Sequence, residues 1–318
     1  MLNKHTNTIH LSHTDLDGEG CIIIAQNYLK NRVVKRISYN SILPTLGEIS
    51  DEIDGDEVNY QLLITDLKLS DQDFQFLKTI SHLFSKIVVI DHHLYEFEIP
   101  EIKNAEIIIN TDYCATALTY KYFAQQIDLD SFKSFVKLVN TFDLWKNTSA
   151  DFGEAKTLNR LYWNLGARVF NKRFFFNPVI TESLRLKAQE IMNEIKDYFK
   201  DCEENRILSY NPIVTVSLCD KHIGELKEFY NSKVLINLRN NYHYSIRLDD
   251  ELSDEECEKI RSIILESVTD SKCINKGGHL RAFGITMEEM TPDEAKAETE
   301  KYVKVITDYI KEKGRING

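Results

Sequence analysis

The chain has 318 residues, 42% hydrophobic and 28% charged, enough for one large globular domain or two ordinary ones with buried cores. Its formal net charge of −11 argues against a surface that holds long nucleic acid through many phosphates. It leaves small phosphate compounds open if positive charge is local, as metal ions would supply it, while 12 Gly and 5 Pro argue against long linkers or low-complexity tracts.

In chain order, residues 7–13 (NTIHLSH) read as a strand ending in polar residues, and 18–30 (GEGCIIIAQNYLK) as a helix. Residues 60–66 (YQLLITD) are a second apolar strand, ending in an acid. A helix starts after Ser70, a good N-cap with Asp73 three residues on. Residues 86–93 (KIVVIDHH) are a third strand and 105–110 (AEIIIN) a fourth, followed by the helical CATALTYKYFAQQ. Residues from about 132 to 164 read as helical, and 183–205 as a long amphipathic helix that connects two domains. Beyond it PIVTVSL, KVLINLR and HYSIRL are strands. SDEECEKIRSIILESV is a helix with Ser253 and Glu256 in capping-box spacing, and Thr291, Pro292 and Glu294 start a last helix.

Strand–helix alternation with continuous apolar strands predicts an α/β fold with a mainly parallel sheet covered on both faces. The expected division is a catalytic domain over 1–180, a connecting helix over 181–205 and a smaller α/β domain over 206–318. The six cysteines (Cys21, Cys114, Cys202, Cys219, Cys257, Cys273) lack CxxC spacing. That argues against a zinc ribbon or disulfide framework and fits a reducing, cytoplasmic setting. The N-terminus shows no apolar signal core, and no apolar run approaches the roughly 18 residues of a bilayer span.

In parallel sheets ligands collect beyond the carboxyl ends of the strands. Three strand ends here carry metal-ligand residue types: His13, Asp66, and Asp91 with His92 and His93. SHTDLDGEG sets His13, Asp15 and Asp17 at alternate positions, so an extended segment directs them one way, a set suited to Mn²⁺ or Mg²⁺. A helix-capping turn would use the same residues. Asp66 alone reads as a loop acid near Ser70, whereas a polar strand end does not account for two adjacent histidines. Asp143, in the apolar NTFDLWKN, is either a helix-end cap or a buried carboxylate in need of a cation. KGGHLRAFG reads as a glycine-rich turn holding His279 with Arg281 nearby, either an ordinary turn or a backbone cradle for phosphate.

Taken together, these residues resemble the DHH/DHHA1 phosphoesterase superfamily over nearly the whole chain. His13, Asp15 and Asp17 match its first motif in the SHxDLDG version, Asp66 its second, Asp91-His92-His93 the name-giving third, and Asp143 the acid of its fourth. GGHLRAFG matches the GGH signature of the DHHA1 domain, and YSIRL resembles its SLR strand through Arg247. The SHxDLDG start, the Asp-x-Trp fourth motif and LNRLYWNL look like the NrnB-like, nanoRNase type of oligoribonuclease. Three features depart from the pattern. Lys276 and Phe283 stand where the family has GGGGH and Ala-Ala-Gly, adding charge and bulk at the pocket, and many relatives place the first-motif histidine further upstream.

The resemblance implies two Mn²⁺ ions, with Mg²⁺ or Co²⁺ as substitutes. His13 and Asp15 would serve one, Asp17, His92 and Asp143 the other, and Asp66 would bridge. His93 would contact the phosphate and assist the leaving oxygen, and Asp91 would orient a histidine. Gly277, Gly278, His279 and Arg247, with Arg281 a further candidate, would hold the substrate's phosphate. The implied activity is hydrolysis of short oligonucleotides to 5′-nucleotides. The alternatives are a phosphatase acting on 3′-phosphoadenosine 5′-phosphate (pAp), a phosphodiesterase acting on linear or cyclic dinucleotides, or a nucleotide-sensing binding module without catalysis. Expected partners are short oligonucleotides or small nucleotide phosphates, with no long duplex and no membrane; a homodimer is compatible.

Overall fold

The computed structural model describes residues 1–318 except 54, 56–58, 203–205, 210–212, 221–222, 231, 269–271 and 317–318, and except the side chains of 208, 209, 223, 224, 228, 279 and 314–316. It divides into two units, Met1–Ile191 and Met192–Gly318.

The first unit runs β1 (Asn7–Ser12), α1 (Leu16–Tyr28), β2 (Arg32–Arg36), a 3₁₀ turn (Tyr39–Ser41), α2 (Ile42–Ile53), β3 (Tyr60–Thr65), α3 (Asp71–Ile80), β4 (Phe84–Asp91) and β5 (Ala105–Ile109). Then follow α4 (Ala115–Phe123), α5 (Lys133–Asp143), α6 (Phe152–Leu165), α7 (Ala167–Phe176) and α8 (Glu182–Cys202), which crosses the division between the units. The strands form one sheet in the order β2-β1-β3-β4-β5 with every pair parallel. Four of them coincide with the apolar runs of the sequence. The fifth, β2, is an edge strand whose RVVKR carries three charges and no buried residue, so no apolar run announces it.

The three inner strands are buried on both faces. Ile9, Leu11, Leu62, Ile64, Ile87 and Val89 pack against Leu46 and Ile49 of α2 and Phe74 and Leu77 of α3. Each such fully buried aliphatic side chain contributes about 1.5–3 kcal/mol. Helix α1 is buried at every position but Asn27, which explains why its apolar residues run continuously instead of forming a stripe. Helix α3 starts with the expected capping box, Ser70 Oγ accepting from Asp73 N–H and Asp73 Oδ2 from Ser70 N–H.

The strand order decides where a site can form. From β1 the chain passes to β2 on one side and then to β3 on the other. The loops leaving β1 and β3 therefore diverge and open a crevice at their carboxyl ends. His13 directly follows β1, Asp66 directly follows β3, and Asp91 closes β4.

The second unit holds β6 (Ile207–Ser209), β7 (Val214–Ser217), β8 (Val234–Arg239), β9 (His243–Leu248), α9 (Asp254–Ser267), β10 (Cys273–His279), β11 (Ala282–Met287) and α10 (Pro292–Ile316). Its sheet order is β10-β11-β9-β8-β7-β6, with β7–β8 parallel and the other pairs antiparallel. One face, with Tyr244, Ile246, Phe283 and Ile285, is covered by Ile260 and Ile264 of α9 and Tyr302 and Ile306 of α10. Helices α9 and α10 begin at Ser253–Glu256 and Thr291–Glu294 boxes, as the sequence predicts.

The glycine-rich segment differs from its reading as a turn. Gly277, Gly278 and His279 lie within β10, and only Leu280 and Arg281 make the turn of the hairpin. Gly278 has φ +129, and a Cβ there would stand 2.8 Å from the Ala282 carbonyl oxygen and Phe283 Cα. Glycine serves the close approach of two strands here rather than a reversal of the chain. All six cysteines are free, and no helix among the described residues is long and apolar enough to cross a membrane.

Candidate metal centre

The β1 exit turns into α1 through Asp15, which caps the helix by accepting from Gly18 N–H at 3.0 Å. Gly18 allows this tight return, since a Cβ there would sit 2.3 Å from the His13 carbonyl oxygen. His13 Nδ1 lies 2.9 Å from Asp15 Oδ2 and 3.9 Å from Asp66 Oδ2. Asp17, in the first turn of α1, accepts from Ala115 N–H at 2.7 Å and Thr116 N–H at 2.8 Å at the start of α4. It thus takes the capping role that the N-cap residue Cys114 does not fill, while each carboxylate oxygen keeps a lone pair for a cation.

Asp66 has a left-handed backbone, φ +55, an uncommon conformation for a residue other than glycine and one that gathers at functional sites. Its N–H bonds to the Ile90 carbonyl at 3.0 Å, which ties the β3 exit to β4. On β4, Asp91 is fully buried and accepts from His93 Nδ1 at 2.8 Å and from the Tyr95 hydroxyl at 2.7 Å. His92 Nε2 stands 3.4 Å from Asp66 Oδ1, 3.6 Å from Asp143 Oδ2 and 3.8 Å from Asp17 Oδ2. Asp143 is the last residue of α5. The crevice therefore brings together His13, Asp15, Asp17, Asp66, Asp91, His92, His93 and Asp143.

The donor set fits divalent cations. Three groups have ligand atoms within 4.8 Å of one another: His13, Asp15 and Asp66; Asp66, Asp91, His92 and His93; and Asp17, Cys114 and Asp143. Asp66 belongs to two of them. Two ligands about 2.1 Å from an ion at a tetrahedral angle lie about 3.4 Å apart, close to the spacings around His92. Asp66 Oδ2 and Asp143 Oδ2 are buried without a hydrogen-bond partner, the condition a cation would relieve.

The electrostatics agree. Burial, then the charges of Asp15, Asp17 and Asp143, push the Asp66 carboxyl well above the carboxylate range, and burial with Asp17 and Asp15 does the same to Asp143. Burial also acts on Asp15 and Asp91, but hydrogen bonds from His13 to the first and from His93 to the second outweigh it and hold both low. Burial draws His92 down against the pull of Asp17, toward the neutral imidazole that metals bind. Burial opposes protonation of His13 too, yet Asp15 raises it. Carboxylates crowded this closely call for positive charge.

Residues without a signal in the sequence complete the site. Tyr39 stacks on His13, Tyr95 holds Asp91, and the Cys114 thiol lies beside Asp17 and Asp143. Below them His10 Nε2 and Ser12 Oγ each lie 2.8 Å from Thr65 Oγ1, and Ser12 donates to the Gly18 carbonyl at 2.8 Å.

In the second unit, Ala282 pairs with both His279 and Arg247, so positions 279, 282 and 247 stand side by side across three strands. The His279 side chain lies outside the described residues. Arg247 is half-buried, burial lowers its pKa, and its Nη1 donates to the Ile246 carbonyl at 2.9 Å. Among the described residues no carboxylate pairs with it. Arg281 instead donates to the Asp249 and Leu252 carbonyls at 2.7 Å each and to Asp254 Oδ1 at 2.8 Å, pinning the segment that leads into α9.

No protein-family model matches the chain. It is 26% identical over 209 residues to the oligoribonuclease NrnB of Bacillus subtilis (strain 168), covering 63% of this chain and 50% of that protein. It is 25% identical over 203 residues to a 3′,5′-cyclic-nucleotide phosphodiesterase of Helicobacter pylori, covering 59% and 56%. The chain spans about half the length of these curated relatives. In fold it is similar to the DHH domain of a member of the S1p family of ribosomal proteins, with TM-score 0.62, 16% identity and coverage of 95% of this chain and 87% of that one. It is also similar to RecJ of Thermus thermophilus, solved in complex with Mn²⁺, with TM-score 0.58, 12% identity and coverage of 94% and 52%. The chain is thus similar in sequence to an NrnB oligoribonuclease and a cyclic-nucleotide phosphodiesterase, and in fold to DHH-domain proteins.

Proposed function

We propose that this protein is a metal-dependent phosphodiesterase that hydrolyses short oligonucleotides to 5′-nucleotides at the centre formed by β1, β3, β4 and α5. The observation that carries the reading is Asp66, a strained and buried carboxylate shared by two ligand clusters, with one oxygen unpartnered. His13 and Asp15 would hold one ion, Asp17, His92 and Asp143 the other, and Asp66 would serve both. Two ions supply charge stabilisation for the attacking and leaving oxygens and lower the pKa of water. Mn²⁺ is the favoured ion because the donors are carboxylates and imidazoles, and Mg²⁺ or Co²⁺ would substitute.

The protein's own groups do the rest. The bond between His93 Nδ1 and Asp91 turns Nε2 toward the site, where it would contact a phosphate oxygen and assist the leaving oxygen. Residues 1–180 form the catalytic domain, 181–205 the connecting helix, and 206–318 a DHHA1-type substrate-binding domain. There Arg247, a desolvated guanidinium without a carboxylate partner among the described residues, offers charge to a substrate phosphate beside Gly277, Gly278 and His279. A cytoplasmic setting suits this substrate.

The names of the relatives support oligonucleotides first and cyclic or linear dinucleotides second. A substrate panel with Mn²⁺ tests the choice: RNAs of two to five nucleotides, pGpG, cyclic di-AMP and pAp. Fastest turnover of the short RNAs supports the proposal. Turnover of pAp or cyclic di-AMP alone would replace it, and inertness toward all of them, with metal bound, would leave a nucleotide-binding module.

A further inference from the structure

Tyr39 stands beside the candidate centre on the 3₁₀ turn that follows β2. Its ring lies on that of His13, with centroids 4.4 Å apart and planes 23° from parallel, and meets His93 edge-on at 5.6 Å. Its hydroxyl is 3.3 Å from His93 Nε2. The residue is 38% exposed, so the ring forms a wall of the site and stays reachable from solvent. Because Asp91 engages His93 Nδ1 at 2.8 Å, Nε2 is the nitrogen left to face the site. The Tyr39 hydroxyl already sets an oxygen atom beside it.

We propose that Tyr39 is a substrate-contact residue: its hydroxyl clamps a non-bridging oxygen of the substrate's phosphate beside His93. The inference rests on the phosphodiesterase reading above. In the free protein the hydroxyl and Nε2 satisfy each other. When a phosphate enters, the hydroxyl turns its proton from Nε2 to the oxyanion, and a neutral hydrogen bond gives way to a charge-assisted one, which is stronger. The stack on His13 holds the ring in place, so little side-chain freedom is lost on binding. A neutral phenol also suits this position chemically. Lysine or arginine there would neutralise the carboxylates and compete with the cations, whereas a hydroxyl donates without adding charge.

Tyr39→Phe tests the clamp, because it keeps the ring on His13 and removes only the hydroxyl. Four quantities are measured on Mn²⁺-loaded wild type and variant: KM and kcat for a 5′-phosphorylated dinucleotide, Kd for inorganic phosphate, and Kd for Mn²⁺. The expected result is a rise of about tenfold in KM and in phosphate Kd, with Mn²⁺ affinity within about twofold of wild type. Wild-type KM and phosphate affinity in Tyr39→Phe would overturn the clamp. So would a parallel loss of Mn²⁺ affinity, which would make Tyr39 a support for His13. Failure of the wild type to cleave the dinucleotide would count against the phosphodiesterase reading, and the phosphate titration would still decide the clamp.

Discussion

Asp66→Asn separates the two conditions in which this side chain acts. Without metal the carboxylate is a liability. It is 2% exposed, and it and Asp15 present ligand atoms within 4.8 Å of each other, where two like charges repel by about 3–4 kcal/mol at an effective dielectric constant of about 20. His13 Nδ1, 3.9 Å away, offsets part of this. The carboxyl escapes the rest by holding a proton, since burial and the surrounding carboxylates push its pKa up. The free energy of holding that proton near neutral pH limits what the substitution can relieve. Metal-free Asp66→Asn should therefore be more stable than wild type by about 1–2 kcal/mol. Asparagine tolerates the left-handed backbone at this position, so the local path of the chain should persist. With metal the order reverses. Wild type gains about 2.7 kcal/mol when Mn²⁺ is at a hundredfold excess over its Kd. The variant, lacking the shared ligand, should gain less than about 1 kcal/mol on the same relation. Both tryptophans, Trp145 and Trp163, lie in the first unit, so urea unfolding followed by their fluorescence reads this unit directly. A metal-free variant less stable than wild type, together with equal stabilisation of both by Mn²⁺, would refute the reasoning.

Loading with Mn²⁺ should expel protons from His13, Asp66 and Asp143, whose pKa values are all raised in the metal-free site. Affinity should therefore tighten as pH rises through neutrality, and calorimetry in buffers of different ionisation enthalpy should show proton release; a pH-independent Kd would contradict this. His10 is fully buried and its pKa is drawn down to about 3, first by burial and then by Arg32 and Arg36. The unfolded chain takes up a proton below about 6.5 that the folded protein refuses until about 3, so acidification through this window costs roughly 1.4 kcal/mol per pH unit. His10→Gln should flatten that dependence in urea titrations, and an unchanged slope would speak against a neutral buried imidazole. Arg281→Met should destabilise the second unit by about 2 kcal/mol, since three acceptors lose their donor. Its KM should stay at the wild-type value, and a raised KM would instead make Arg281 a substrate contact.

Much of the centre is legible in the sequence because parallel topology converts strand ends into neighbours. His13, Asp66 and Asp91 each mark such an end, and strand order alone brings them to one rim. Asp143 is different. It reaches the centre from the end of α5, and only the resemblance singles it out from an ordinary helix cap. Tyr39 arrives on the crossover from β2, an edge strand too charged to read as a strand, so neither the element nor its product carries a pattern. Cys114 escapes notice for a tertiary reason. The capping bonds that a serine or threonine would make locally come from Asp17, far away in sequence. The glycine pair 277–278 reads the same in a turn and in a close-packed hairpin strand, and only its pairing with Phe283 and Gly284 separates the two.

The central claim is a two-metal phosphodiester-cleaving centre, and counting bound metal alongside turnover tests it most directly. Purified protein should bind two Mn²⁺ per chain and cleave a 5′-phosphorylated dinucleotide to mononucleotides. Chelation should stop the reaction, and restored Mn²⁺ should restart it. Undiminished cleavage in excess chelator, or by the Asp66→Asn variant, would contradict the account.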